Sequence, residues 1–405
     1  MANLFQTATS GLASLKNYYQ GPIVDQFNEE VPVYRAAEKV KQGWSGQQVI
    51  RPIRSRRNQG VGATTDGGNL PTIGRQTTLQ AIIAAKYNYL RFGITGPMIK
   101  ASQSDAGSFV RAAAYELEMG YKDLKSDCNR QLSWNGDGTL ATVSAAVTAS
   151  TTLALTGREA AEPALKFLDI GTAVDIYSSS TLQASNVTIA SISAGTASSS
   201  TATIVLDSAV TVSASAVLVR AGSGLTSEMQ GLLTGLDGGT TTIYNIDRST
   251  VLSFQGNSRS TVETLSLNGM QTIYNEGLRR GGAKYNAVWC DFDSIRMYQK
   301  LLTADKRYTN TTKADGTFGN KDEFYMDFNG IPVVPDKDCP QRFFFLPAEV
   351  FKMYVLSEME FSDESGSMYI AQTSADSFEV RVRFFANLFN EQPSACAILS
   401  GYLAP

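Results

Sequence analysis

The chain has 405 residues, of which 43% are apolar, and its 35 basic and 38 acidic side chains give a formal charge of −3. A chain of this length and apolar content can build two or three domain cores. The near-balance of charge argues against a dedicated nucleic-acid binder and a polybasic membrane protein. No apolar run approaches the roughly 20 residues of a membrane-spanning helix, so we expect no membrane partner.

Histidine is absent, and the cysteines are scattered without a CxxC pair. The lack of histidine excludes Ser-His and Cys-His nucleophilic sites and the zinc sites that use histidine. We therefore predict small buried thiols in a reducing compartment, at Cys128, Cys290, Cys339 and Cys396. The N-terminus lacks the basic and apolar segments of a secretory signal, which favours a cytoplasmic product.

Residues 1–43 are predicted to form an arm with little regular structure. Two short helices, at 8–19 and 23–27, flank a Gly-Pro break. The arm carries many aromatic and aliphatic side chains that it cannot bury alone. Docking on its own chain and docking on a neighbouring subunit both fit this pattern.

Residues 44–100 are predicted to form a long two-stranded loop. Strands at 47–53 and 77–94 flank a tip that contains Gly60, Gly62, Gly67 and Gly68. Glycine at this density favours a flexible tip. Because an isolated hairpin is marginally stable in water, we expect this loop to need a partner subunit.

The outgoing strand of the loop is rich in arginine: Arg51, Arg54, Arg56 and Arg57. These side chains can form a solvated strand face or ion pairs between subunits, and we take them as candidate intersubunit contacts. A phosphate cradle has less support, because no GxxxxGK[ST] motif accompanies the glycines.

Residues 104–132 are predicted to form one long helix within a segment that spans 101–138. Apolar side chains recur at spacings of three and four, and Leu117, Tyr121, Leu124 and Cys128 are its predicted core face. The charged side chains, Asp127 among them, mostly fall outside this stripe, so we predict that they face water or a partner.

Composition changes sharply over residues 139–224, which are rich in Ser, Thr, Ala and Val. Apolar and polar residues alternate at 173–177, 186–192, 201–206 and 215–220, which predicts short strands in a small β-sandwich or barrel. Glycines at both ends indicate an inserted domain that folds on its own. Its predicted core residues are Val187, Ile189, Ile204, Leu206, Val217 and Val219. A low-complexity linker is the alternative.

The remaining sequence predicts a mixed α/β region at 225–340 and a strand-rich end at 341–405. Helices are predicted at 225–233, 261–280 and 292–302, with a buried strand at 285–290. A strand is predicted within FNGIPVVPD, and a closing pair of long strands at 378–387 and 395–402.

No constellation for catalysis is found. Asp336 and Asp338 lie two residues apart near Asp327, so a metal site is conceivable, but a turn with solvated carboxylates fits better. We therefore predict no enzyme activity, no catalytic residues, no metal site and no cofactor.

The order of these parts resembles that of tailed-bacteriophage major capsid proteins with the fold first seen in phage Hong Kong 97. The matching stretches are GATTDGGNLPTIGRQTTLQAIIAAKYNYLRFGITGPMI, FNGIPVVPD and DSFEVRVRFFANLFNEQPSACAILSGYL. None is a diagnostic short motif, so the resemblance depends on their order.

The resemblance implies an α+β, Hong Kong 97-like capsid fold with an inserted β-rich domain. It makes residues 1–43 the N-terminal arm and 44–100 the extended loop. The spine helix, in 101–138, and the strands of 341–405 would form the peripheral domain. Residues 225–340, with the start of 341–405, would form the axial domain, and 139–224 the insertion.

Members of the family form pentamers and hexamers that close into an icosahedral shell around double-stranded DNA. The resemblance thus implies a homo-oligomer in a virion capsid, assembled in the host cytoplasm, that encloses DNA without sequence-specific binding. Expected partners are a separate scaffolding protein, a portal and a decoration protein. The sequence does not mark a Lys/Asn pair for covalent linkage between subunits.

Two alternatives stay open at the level of sequence. An encapsulin-like nanocompartment shares the fold and would carry an enzyme cargo. A β-rich adhesin or tail-associated binding protein would explain residues 139–224 but not the long helix and the loop.

Overall fold

The computed structural model describes residues 30–95, 97, 112–159, 162–196, 198–260, 263–282, 284–303, 326–362, 370–371 and 376–403. The predicted helices at 8–19 and 23–27, and residues 104–111 of the predicted long helix, lie outside these ranges. Among the helices that the structure describes, none is both long and apolar enough to cross a membrane.

The described elements mix helix and strand, in agreement with the predicted α+β class. The helices are α1 (Pro32–Ala36), α2 (Ala112–Ser133), α3 (Leu267–Gly281) and α4 (Phe292–Thr303). The strands are β1 (Glu38–Val40), β2 (Trp44–Ser45), β3 (Gln48–Arg56), β4 (Thr77–Ala84), β5 (Lys86–Thr95), β6 (Ala141–Val143), β7 (Val147–Thr156), β8 (Ala173–Ser178), β9 (Thr181–Ala194), β10 (Thr201–Val212), β11 (Val217–Arg220), β12 (Thr242–Ile243), β13 (Ile246–Asp247), β14 (Asn257–Ser260), β15 (Ala287–Cys290), β16 (Met326–Phe328), β17 (Ile331–Pro335), β18 (Phe343–Leu346), β19 (Phe351–Phe361), β20 (Ile370–Ala371), β21 (Ser377–Asn390) and β22 (Ala397–Ser400).

The chain divides into two units. The smaller unit includes Tyr89–Leu124 and Phe361–Val382, and the larger unit holds Val31–Asn88, Lys125–Glu360 and Arg383–Pro405. Within the smaller unit, Gly120 of α2 leaves room for Leu90 of β5, since a Cβ on this glycine would lie 2.8 Å from a methyl carbon of Leu90.

The extended hairpin, which we define as residues 48–84, pairs β3 with β4 in a three-stranded sheet with β2. Val49 pairs with Ile83 and Arg54 with Thr78. The prediction of one returning strand over 77–94 is wrong, because the strand is interrupted at Ala85. The N–H of Ala85 donates to the carbonyl oxygen of Gln47 at 2.9 Å. Beyond this break, β5 pairs with β21 in another sheet.

Residues 141–220 form a closed barrel with the strand order β10-β7-β6-β11-β8-β9. Its buried cluster includes Val187, Ile189, Ile204 and Leu206. In β11 the cluster member is Leu218, whereas Val217 is half-buried and Val219 is buried outside the cluster. The prediction that Val217 and Val219 point into the barrel is therefore wrong. The prediction is off by one residue, and in a strand a shift of one residue exchanges the two faces.

A six-stranded sheet of order β14-β22-β18-β15-β17-β16 forms the α/β part of the larger unit. Apolar side chains of α3 and α4 share one buried cluster with this sheet, including Met270, Ile295 and Phe343. The helix α3 starts where the hydroxyl of Ser266 accepts the N–H of Gly269 at 3.1 Å. It ends at Gly282, whose φ of 65° suits a left-handed C-cap.

The long strands β19 and β21 belong to a separate sheet, in the order β1-β19-β21-β20. The prediction that the last two long strands pair with each other is wrong, because β22 pairs with β14 and β18. The connection at 391–396 thus links the strands of the two sheets.

The predicted helix at 225–233 is also wrong, because the structure has turns there. The N–H of Leu232 donates to the carbonyl oxygen of Leu132 at 2.7 Å, and that of Leu233 to the carbonyl oxygen of Trp134 at 3.2 Å. The segment therefore satisfies carbonyl groups at the end of α2, which a helix leaves without partners of its own.

Candidate functional site

The extended hairpin is anchored at its base and exposed along its length. At the base, Val49, Ala81 and Ile83 are buried in one apolar cluster with Tyr244 and Phe389. Beyond Ile53, most side chains out to the tip are exposed. The hairpin therefore presents a surface that the described residues of its own chain do not cover.

The arginines of β3 and its end fall into two groups. Arg51 forms an ion pair with Glu391 at 2.9 Å, and Glu391 also pairs with Lys352 at 3.1 Å. Arg54, Arg56 and Arg57 are exposed and have no ion-pair partner among the residues that the structure describes. The structure thus separates one arginine that acts within the chain from three that remain available to a partner.

Three large apolar side chains stand exposed at the tip of the extended hairpin: Val61 at 84%, Leu70 at 83% and Ile73 at 98%. The tip backbone closes on itself, since a Cβ on Gly74 would lie 2.5 Å from the nitrogen of Gly60. Here glycine permits a close backbone approach. Exposed apolar groups of this size beside unpaired arginines are typical of an interaction surface.

The predicted core face of α2 is buried toward its C-terminal end. Cys128 is fully buried and Leu124 is buried, whereas Leu117 and Tyr121 are half-buried. Leu132, one turn further on, is also fully buried. The half of the helix that belongs to the larger unit thus lies deep in its core.

The end of α2 carries a buried ionic junction, which we define as Asp127, Arg130, Arg220 and Glu228. Asp127 accepts from Arg130 and from Arg220 at 3.0 Å each, and Arg130 also pairs with Glu228. The side chains of Arg130 and Glu228 are only 3% and 5% exposed. Burial alone would raise the pKa of Asp127, but the two arginines hold that pKa well below its ordinary value.

The prediction that Asp127 faces water or a partner is therefore wrong. Apolar periodicity finds only the apolar stripe of a helix, so it assigns every charged position to the solvent. The junction becomes visible only when the fold brings Glu228 and Arg220 to the helix from distant parts of the chain.

The barrel is fixed to the rest of the larger unit by further charged and aromatic contacts. Arg158 pairs with Asp137, donates to the carbonyl oxygen of Thr139 at 2.9 Å, and lies 4.0 Å above the ring of Trp134. The rings of Phe167 and Trp134 meet edge to face at 6.4 Å. The basic side chains of the insertion thus cluster at the end that meets α2.

The carboxylates of Asp336 and Asp338 are buried, so the prediction of a turn with solvated carboxylates is wrong. They are 1% and 5% exposed, and the side-chain amide of Asn129 donates to both. Asp327 is exposed in β16 and is not part of this pair. Within the described ranges, no group of three or more His, Cys, Asp or Glu side chains is placed to bind a metal.

A cavity of about 220 Å³ in the larger unit is lined mostly by apolar side chains. Its walls include Val33, Leu132, Leu232 and Phe351, and Asn286 is its polar residue. A cavity with this lining offers no pair of groups for acid–base or nucleophilic chemistry.

Comparisons with solved structures identify the fold. The protein of "Cyanophage A-1(L) capsid asymmetric unit" matches with a TM-score of 0.65 at 13% identity, covering 98% of this chain and 99% of that chain. "Capsid of native GTA particle computed with C5 symmetry" matches with a TM-score of 0.54 at 7% identity, over 99% and 100%. "The capsid of Myoviridae Phage XM1" matches with a TM-score of 0.51 at 8% identity, over 99% and 100%.

The chain therefore has the fold of phage capsid proteins over nearly its whole length. No protein-family model matches the sequence, and no curated protein matches it. At these identities, the likeness lies in the fold.

Proposed function

We propose that this chain is the major capsid protein of a tailed bacteriophage and that its work is self-assembly. The observation that carries the proposal is a capsid fold, matched over 98% of the chain, that leaves its extended hairpin without a cover among the described residues. In this proposal, pentamers and hexamers close into an icosahedral head around double-stranded DNA, assembled in the host cytoplasm.

The proposed domains keep the predicted boundaries. Residues 1–43 are the N-terminal arm, 44–100 the extended loop, 101–138 the spine helix of the peripheral domain, 139–224 the inserted β-rich domain, 225–340 the axial domain, and 341–405 the end of the axial domain with the peripheral strands. The expected partners are other copies of the chain, a separate scaffolding protein, a portal and a decoration protein.

The extended hairpin is the proposed contact between subunits. Its tip offers apolar area, whose burial is the main favourable term in association. Its free arginines add directional ion pairs with a neighbouring subunit. A net charge of −3 suits a container whose wall encloses DNA without gripping it along its length.

Electron microscopy of the purified chain, expressed with a matching scaffolding protein, tests the proposal directly. We expect closed particles with five-fold and six-fold capsomers. Nuclease treatment and absorbance of particles from infected cells should reveal protected DNA. A chain that stays monomeric under all assembly conditions would contradict the proposal, and an enzyme cargo in place of DNA would indicate a nanocompartment.

Reversing Arg54, Arg56 and Arg57 to Glu should block or misdirect assembly and leave the subunit folded. Each exposed ion pair contributes only about 0–1 kcal/mol, but a closed shell repeats the loss at every contact. Particle yield by sedimentation and the thermal midpoint of the unassembled subunit are the measurements.

The matched control replaces the same three arginines with lysine, which keeps the charge and loses the planar guanidinium. We expect this variant to assemble better than the glutamate variant. Wild-type particle yield from the glutamate variant would show that these arginines do not act between subunits.

A further inference from the structure

The turn that follows β17 holds two carboxylates in one buried place. The side-chain nitrogen of Asn129 lies 3.0 Å from one oxygen of Asp336 and 2.7 Å from an oxygen of Asp338. The backbone N–H of Asp338 donates to Asp336 at 2.9 Å. One amide group therefore serves two acids that have almost no contact with water.

The two acids differ in their other neighbours. Lys337 lies 3.4 Å from the carboxylate of Asp338, and its ammonium also donates to Ser126 at 2.8 Å. Asp336 has no ion-pair partner among the described residues. When a close pair of carboxylates shares one proton, the proton binds to the acid whose negative charge is less stabilised by its neighbours. Here that acid is Asp336.

The carboxylate pair also joins separate parts of the larger unit. The side-chain oxygen of Asn129 accepts the backbone N–H of Tyr34 in α1 at 3.1 Å. The indole N–H of Trp134 donates to the carbonyl oxygen of Asp338 at 2.9 Å. Loosening this turn would thus release its contacts with Trp134 and with Asn129, the residue of α2 that also binds α1.

We propose that Asp336 and Asp338 form a proton-dependent latch that holds the turn at 336–341 against α2. With one proton on Asp336, the buried pair carries a single negative charge, which the amide of Asn129 and the ammonium of Lys337 can stabilise. With both acids ionised, two buried negative charges repel each other. Opening of the turn lowers this repulsion, because water can then solvate both charges.

The surroundings set the pH range of the latch. Among the described residues, the charged and titratable groups around the pair and its turn include Lys337 and Cys339 on the turn, Cys290 at the end of β15, and Lys166, which donates to the carbonyl oxygen of Cys339 at 3.0 Å. Burial and the charge of Asp338 together raise the pKa of Asp336 to about 6.

A carboxyl pKa that is raised in the closed state means that the closed turn binds more protons than the open turn between about pH 4 and pH 6. The stabilisation is therefore complete below the ordinary pKa of the acid, and it is lost as the pH rises through about 6. The latch is closed in acid and weakened at neutral pH.

Cys339 provides a native reporter, because it lies on the turn and is fully buried. Cys396 directly precedes β22 and is also fully buried, so it serves as the reference. We would alkylate the unassembled subunit with N-ethylmaleimide at pH 5.5 to 8 and quantify both cysteines by mass spectrometry. Their ratio cancels the common effect of pH on thiolate chemistry.

The wild-type ratio should rise roughly fourfold from pH 5.5 to pH 8, by linkage from a pKa of about 6 in the closed turn. In D336N, which imitates the protonated acid, the ratio should stay flat and low. D327N is the matched control, since it removes an exposed aspartate, and it should keep the wild-type rise.

Three outcomes would overturn the latch. The wild-type ratio could be independent of pH, or D336N could keep the rise. D336N could also fail to fold, which would mean that the ionised carboxylate is required. Because these measurements use the unassembled subunit, their failure would leave the proposed capsid function untouched.

Discussion

Replacing Arg130 with methionine is expected to lower the free energy of unfolding by roughly 3–5 kcal/mol. The side chain of Arg130 is 3% exposed and pairs with Asp127 and Glu228. Methionine fills a similar space, so the main change is the loss of the positive charge. Two carboxylates then stay behind, and Glu228, at 5% exposure, has no other ion-pair partner among the described residues.

The cost arises from the charge that is left behind. A buried ion pair gains little over an apolar pair, because removing both charges from water cancels most of their attraction. A single buried charge without a partner keeps the desolvation penalty and loses the attraction. The double variant R130M/E228Q should therefore recover a substantial part of the loss, although Asp127 would still rely on Arg220.

The matched control is R296M on α4. Arg296 pairs with Asp293 at 3.0 Å, but these side chains are 72% and 60% exposed, so its loss should cost about 0–1 kcal/mol. Urea unfolding of the unassembled subunits gives the free energy of unfolding of the wild type, R130M, R130M/E228Q and R296M. A loss for R130M as small as that for R296M would show that the junction contributes little to stability.

The amino-acid sequence predicts those parts of this fold that leave a local pattern. The spacing from Leu117 to Cys128 predicts the helix, and the alternation around Ile189 and Ile204 predicts strands of the insertion. In each case one face meets an apolar core, and the period of the apolar residues reveals it.

The failures of prediction share a different cause, which is the choice of partner. Strands 378–387 and 395–402 carry strand patterns, but nothing in those patterns says that they join different sheets. Residues 225–233 have a helical pattern, but N–H groups of this segment donate to carbonyl oxygens at the end of α2 and the segment forms turns. The buried Asp336 and Asp338 look like a solvated turn because their donor, Asn129, lies about 200 residues away.

The candidate site was predicted in the same uneven way. The arginines and glycines at 51–68 indicate an exposed loop. However, only the structure separates Arg51, which pairs with Glu391, from the arginines that remain available to a partner. The exposed apolar tip gives no periodic signal, since its side chains follow neither a helix nor a strand.

The inserted barrel, residues 139–224, is expected to fold when expressed alone. Its buried cluster runs from Leu140 to Ala216 and Leu218, entirely within the insertion. The ends of the insertion meet, because the N–H of Leu140 donates to the carbonyl oxygen of Leu218 at 2.8 Å. Adjacent termini and a separate core are the conditions under which an insertion is independent of its host.

An amide NMR spectrum of the fragment is the measurement, and we expect the dispersed signals of a β-fold. The control fragment carries I204D. Ile204 is fully buried, so an aspartate there should abolish the dispersion. A disordered wild-type fragment would show that the barrel depends on its contacts with α2.

The complementary variant replaces 139–224 with a short Gly-Ser linker in the full chain, and it should still fold and form shells of ordinary geometry. It should also be less stable by roughly 2–4 kcal/mol, because Asp127 loses Arg220 and Trp134 loses the contacts of Arg158 and Phe167. Urea unfolding and electron microscopy measure the two effects. A linker variant that cannot fold even as a monomer would show that the barrel belongs to the core of the subunit.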